Sequence, residues 1–137
     1  MSFKVKLRKT DRLFRKYILK RDNYTCQRCG HKYNPSDNLQ GLHVSHYWGR
    51  GRENTRFDPE NCLLLCFNCH RIWGHGDGRQ GYTDFMKQRL GEQGFLMLEI
   101  RAHQYQKRDD ILMEIYITQL LRFLGKNEEV CRQKEEI

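Results

Sequence analysis

The chain has 137 residues, 38% of them hydrophobic and 31% charged, with a formal net charge of +8. That size and composition admit one domain with an extension and exclude a large apolar core, so a staple of some kind is expected. No window approaches the roughly 18 consecutive apolar residues of a membrane span. The N-terminus MSFKVKLRKT lacks an apolar stretch behind its basic residues, which argues against a secretory signal and for a cytoplasmic setting.

The positive charge is concentrated at one end. Eleven Lys/Arg and two Asp/Glu fall in residues 1–34, so this quarter carries +9 and the remainder −1. Such a block reads as a footprint for a phosphate backbone or, alternatively, as a solvated helix face. Residues 10–22, TDRLFRKYILKRD, predict a helix capped by Thr10 or Asp11 and stopped at Asn23. Leu13, Phe14, Tyr17, Ile18 and Leu19 form its apolar stripe. Arg15, Lys16 and Lys20 belong to the basic side and are the helix's candidate nucleic-acid contacts.

Cys26 and Cys29 follow on a turn, with Gly30 supplying the positive φ that a metal knuckle often needs. Cys66 and Cys69 repeat the spacing. Two C-x2-C pairs in a chain without an export signal point to a closed tetrathiolate zinc site, structural rather than catalytic. The 36 residues between the pairs can hold a whole structural unit. Cys62 reads as a small core residue, His31 as a surface histidine, and Cys131 has no evident role.

Residues 41–47 alternate as a strand, which puts His43 and Ser45 on one face and His46 on the other. The loop WGRGRENTRFDPEN brings Arg50, Arg52 and Arg56 as anion contacts. CLLLC reads as a buried strand and FNCHRIWG as a short helix closed by Gly74. The unit is strand, loop, strand, helix, clamped by zinc where the second strand ends. Within it, histidine suits the activation of water, a divalent ion suits the scissile phosphate, and Asn61 can act only through geometry. After a glycine-rich loop, HGDGRQGYT, residues 82–91 predict a helix with Phe85, Met86 and Leu90 inward and Gly91 as its stop. Two further helices follow. The last, DDILMEIYITQLLRFLG, carries Ile111, Leu112, Ile115, Leu120, Leu121 and Leu124 on one face, either packed on the first half or forming a homodimer seam. KNEEVCRQKEEI reads as a frayed end.

The order SHY…ENCLLLCFNCH, flanked by the two cysteine pairs and preceded by YILKRDNYTCQRCG, resembles the HNH endonuclease family over residues 10–78. LGEQGFLMLE further on is similar to phage recombination proteins of the NinG type. The resemblance implies an α+β chain. Its first half (1–78) would be a ββα-metal nuclease core with a basic helix, stapled by Cys26, Cys29, Cys66 and Cys69. Its second half (79–137) would be a helical extension. Also implied are DNA hydrolysis in a bacterial or phage-infected cell, structural Zn²⁺, and a catalytic Mg²⁺, Mn²⁺ or other divalent ion. Residue by residue, His46 matches the general base, Asn61 the residue that orients it, and His70 a ligand to the catalytic ion. One position departs: where the family commonly has Asp or His before the base, this chain has Ser45, a poorer ligand for a hard ion. His43 is the preferred substitute, ahead of His75 and Asp77. That departure keeps open a second reading, a non-catalytic zinc-stabilised DNA-binding module. A third, a small zinc protein that binds another protein through its C-terminal helices, leaves the basic helix unexplained.

Overall fold

A computed structural model describes residues 6–135, with side chains described as far as Asn127. The elements in order are α1 (Lys9–Arg21), β1 (Leu42–His46), α2 (Glu53–Arg56), a 3₁₀ turn (Pro59–Asn61), β2 (Cys62–Cys66), α3 (Phe67–Gly74), α4 (Gly78–His103) and α5 (Asp110–Glu135). The stretch expected to fray is thus helical through Glu135, while the side chain of Cys131 lies outside the described residues. No helix among the described residues is long and apolar enough to cross a membrane.

Helix α1 starts one residue earlier than its pattern suggests. Arg8 is the N-cap, and its backbone N–H donates to the Asp11 carboxylate at 2.7 Å. Satisfying that free N–H removes one of the orphan donors at a helix start. Thr10 is not the cap, and its buried hydroxyl has no partner among the described residues. Beyond the helix the chain reverses through Asn23 and Tyr24, both with positive φ.

Strands β1 and β2 pair antiparallel, with Val44 opposite Leu64 and His46 opposite Cys62. This small sheet is sandwiched. On one face Leu42, Cys62 and Leu64 pack with Phe14, Tyr17 and Ile18 of α1, Phe57, and Ile117 of α5. On the other, Leu63 and Leu65 pack with Trp73 of α3 and Tyr82, Met86 and Leu98 of α4. Burial on both faces explains why CLLLC is a continuous apolar run rather than an alternating one. The outer edge of β2 is tied down: the Gln27 N–H donates to the Leu64 carbonyl, and the Asp22 carboxylate accepts from the Leu64 N–H.

Two stretches differ from their sequence reading. The glycine-rich loop is partly helical, because α4 begins at Gly78, and α4 is really two helices joined at Gly91 (φ 74°, ψ 165°). Glycine takes that geometry without a Cβ penalty, so the stop expected there is a sharp bend. Helix α5 turns Met113, Ile117, Leu120, Leu121 and Leu124 onto the α1 core. Ile111, Leu112 and Ile115, expected on the same face, stay 76%, 52% and 55% exposed. Apolar residues surround more than one side of α5, and the 113–117–120–124 rows are the ones that meet α1. The Leu120–Leu124 stripe is therefore covered within the chain, not free as a seam for a second copy.

Candidate active site and metal centre

Cys26 and Cys29 lie on the turn after α1, Cys66 ends β2, and Cys69 sits in the first turn of α3. Their four Sγ atoms all lie within 4.8 Å of one another, and the Cys29 and Cys66 sulfurs are 3.9 Å apart. Zinc–sulfur bonds of about 2.3 Å in a tetrahedron put sulfurs about 3.8 Å apart, so this donor set fits one zinc ion. Gly30 closes the first knuckle with φ +77°, its N–H donating to the Cys26 carbonyl. Arg28 places a guanidinium N–H 3.4 Å from Cys69 Sγ, a cation beside the sulfur cluster. Cys62 stays apart from the cluster: it is fully buried, and burial pushes its thiol well above the usual range. His31 is exposed, its ring edge-on to Tyr33.

The remaining candidates meet in a cleft of about 480 Å³ lined by His43, His46, Arg50 and His70, with Asp11 and Arg15 of α1 on its far wall. The cleft runs along the edge of β1 that faces away from β2. Strand alternation sends His43 toward α3 and His46 toward α1, yet both reach this cleft because it wraps the strand edge. His43 Nδ1 lies 2.9 Å from His70 Nδ1, with the rings nearly perpendicular. Two ligands in neighbouring positions of an octahedral ion with bonds of 2.0–2.1 Å are on the order of 3 Å apart. The pair therefore has the spacing of two ligands to one divalent ion. Burial, then the nearby charges of His43, Arg50 and His75, hold the His70 pKa below its ordinary value. Ser45 is turned away from the cleft: it is 1% exposed, and its hydroxyl lies 2.8 Å from that of Tyr82. His75 and Asp77 are exposed beyond α3.

His46 Nε2 is 2.9 Å from the Arg56 carbonyl oxygen. A carbonyl can only accept, so Nε2 carries the hydrogen and Nδ1 of the neutral ring keeps its lone pair. Burial lowers the His46 pKa to about 4, against a smaller opposing effect of the Arg56 carbonyl. Asn61, fully buried, donates to the carbonyls of Trp48 and Thr55 and accepts from the Trp48 N–H at 2.8 Å. Three bonds from one amide thus close the loop between the strands, and the Tyr47 N–H donates to Asn61's own carbonyl. Asn61 acts on the loop; the direct partner of His46 is the Arg56 carbonyl.

Arg56 was expected at the surface as an anion contact, and here the expectation needs correcting. It is 1% exposed, paired with Asp11 at 2.6 Å, and donates to the carbonyls of Arg50 and Lys6. A phosphate cannot reach it. Its side chain ties the loop to α1 and to the N-terminal segment while its carbonyl holds His46. Burial alone would raise the Asp11 pKa, but the hydrogen bonds from Arg56 and the Arg8 N–H outweigh it and hold the carboxyl below its ordinary value. Arg56→Met should cost about 3–5 kcal/mol in chemical denaturation, because it strands the Asp11 charge in the interior. A loss under about 1 kcal/mol would show that water reaches Asp11.

The other expected contacts divide in two. Lys16 and Lys20 are exposed on α1, and Arg50 lines the cleft. Arg15 is half-buried and donates to the carbonyls of Leu42 and Leu39, so it braces β1 as well as walling the cleft. Arg52 lies over the Trp48 ring and donates to the Ala102 carbonyl. Together with Asn54 on the Arg101 carbonyl and Arg101 on Asp58, it pins the loop to the end of α4. None of these long-range partners has a local signal in the sequence.

Two antiparallel strands and a helix, with a histidine pair across strand and helix and a tetrathiolate at the joint, make a ββα-metal core. Residues 26–76 match the family model described as HNH endonuclease. Comparison with curated proteins and with solved structures gave no match.

Proposed function

We propose that the protein is a divalent-metal-dependent nuclease that hydrolyses phosphodiester bonds in DNA. The observation that carries this reading is the hydrogen bond from His46 Nε2 to the Arg56 carbonyl, which leaves Nδ1 with a free lone pair on a residue lining the same cleft as the His43–His70 pair. His46 takes a proton from the attacking water at Nδ1. Arg50 faces the phosphate and offsets its charge. His43 and His70 would hold the catalytic ion, His43 serving where Ser45 does not; such an ion polarises the phosphate and stabilises the leaving oxygen. Asn61 keeps the loop closed so that the Arg56 carbonyl stays in place. The four cysteines hold a structural zinc and have no part in the chemistry. Lys16 and Lys20 extend the positive surface along the DNA backbone, which implies salt-dependent binding with little sequence preference.

The test is plasmid nicking with added Mg²⁺, Mn²⁺ and other divalent ions, comparing the native chain with His43→Ala and His70→Ala. Metal-dependent nicking is expected for the native chain, falling at least tenfold in each variant. DNA binding without nicking under any ion would favour the non-catalytic module, and full activity in His43→Ala would remove that residue from the ion's ligands.

A further inference from the structure

Phe67, the first residue of α3, is 59% exposed beside the cleft rather than folded into either core. Its ring stands edge-on to His43, with centroids 5.9 Å apart, and His43 in turn touches His70. On a helix, residues three and four apart share a face, so Phe67, His70 and Arg71 form one outward row. Arg71 is exposed, and Arg50 lines the cleft with His43 and His70. An aromatic ring, a histidine pair and cations therefore lie close to one another. Surfaces that bind unpaired strands alternate cations for the phosphates with aromatic faces for the bases. An intact duplex keeps its base faces inside the stack and offers Phe67 nothing to cover.

Building on the nuclease reading above, we infer that Phe67 is a stacking platform for an unpaired nucleobase next to the phosphate held at His43 and His70. The preferred substrate is then DNA with a single-stranded, frayed or branched segment at the cut. Charge favours the same occupant: the chain carries +8 overall, Arg50 lines the cleft with the histidines, and Arg71 shares a helix face with Phe67.

The experiment measures binding by the zinc-loaded full chain carrying His46→Ala, so that cleavage does not intervene. The probes are short single strands with 2-aminopurine at successive positions, and the matching duplexes. Binding should quench the fluorescence of 2-aminopurine at one or a few positions. Adding Phe67→Leu, which keeps apolar bulk but removes the π face, should abolish that quench. Affinity for the single strand should fall roughly 5- to 150-fold, the factor that one lost base stack corresponds to, with a smaller change for duplex. Phe67→Trp should keep both the quench and the affinity. Equal quenching and equal affinity in Phe67→Leu would overturn the proposal, as would a parallel loss on single strand and duplex. Absence of nicking by the native chain would instead overturn the nuclease reading, and the stacking measurement does not depend on it.

Discussion

Alanine at His46 is expected to lower the rate of DNA hydrolysis by roughly 10²–10⁴, the usual contribution of a positioned general base, while binding of uncleaved DNA persists. The expectation rests on the ring's tautomer, fixed by the Arg56 carbonyl at 2.9 Å, and on its burial. Burial has a second consequence, visible in pH dependence. With a folded-state pKa of about 4, His46 is already an unprotonated base at pH 5–6, so the acid limb of the rate profile should fall below the pH of about 6.5 typical of histidine. Stability follows the same sign. Between pH 6.5 and 4 the unfolded chain binds a proton that the folded chain refuses, so stability falls as pH drops through that window and this contribution is spent below it. His46→Ala should remove this part of the pH dependence in denaturation curves. An unchanged nicking rate in His46→Ala would falsify its assignment as the base.

Removal of zinc is expected to unfold the HNH segment outright. Apparent binding free energies of structural zinc in small domains run about 10–16 kcal/mol, comparable with or above the whole stability of a typical domain at about 5–15 kcal/mol. The ion would join the first knuckle to the end of β2 and the start of α3, which otherwise meet through few backbone bonds such as Gln27 to Leu64. Each of the two hydrophobic clusters is small, and Cys26, Cys69 and Leu65 all belong to the one beneath α3 and α4. Cys69→Ser or a strong chelator should therefore abolish cooperative melting followed by circular dichroism, with zinc content falling in step. A chelated protein that still melted cooperatively near its original temperature would show that the cores hold without the staple.

The core motif was legible because its signals are local. β2 spans the five residues of the CLLLC run, and α3 spans the eight of FNCHRIWG, since unbroken apolar burial and a helical turn after Cys66 each leave a mark within a few residues. The apolar stripe of α1 was legible for the same reason. What sequence could not supply is pairing across distance. Arg56 reads as one loop arginine among three; only folding brings it to Asp11, 45 residues earlier, and turns an expected DNA contact into a buried strut. Asp11 in turn reads as a helix cap, but it lies inside the first turn, where its carboxylate accepts from the N–H of the actual cap, Arg8. Helix α5 offered too many apolar residues to fix its rotation, so three of those expected inside lie outside. The loop between the strands hid α2 and the 3₁₀ turn because short polar segments carry little periodicity.

The cleft along the edge of β1 gives the molecule an unusual division of labour between its cores. His46 shares a strand face with Val44, which packs on the layer built on α1 and α5, while His43 on the opposite face meets His70 of α3. On the proposed nuclease reading, the gap between His46 and the His43–His70 pair follows how far apart the two layers stand. β1 would then act as the beam of a caliper, with one jaw on each face, and water and phosphate would enter between jaws whose opening follows packing well away from the chemistry.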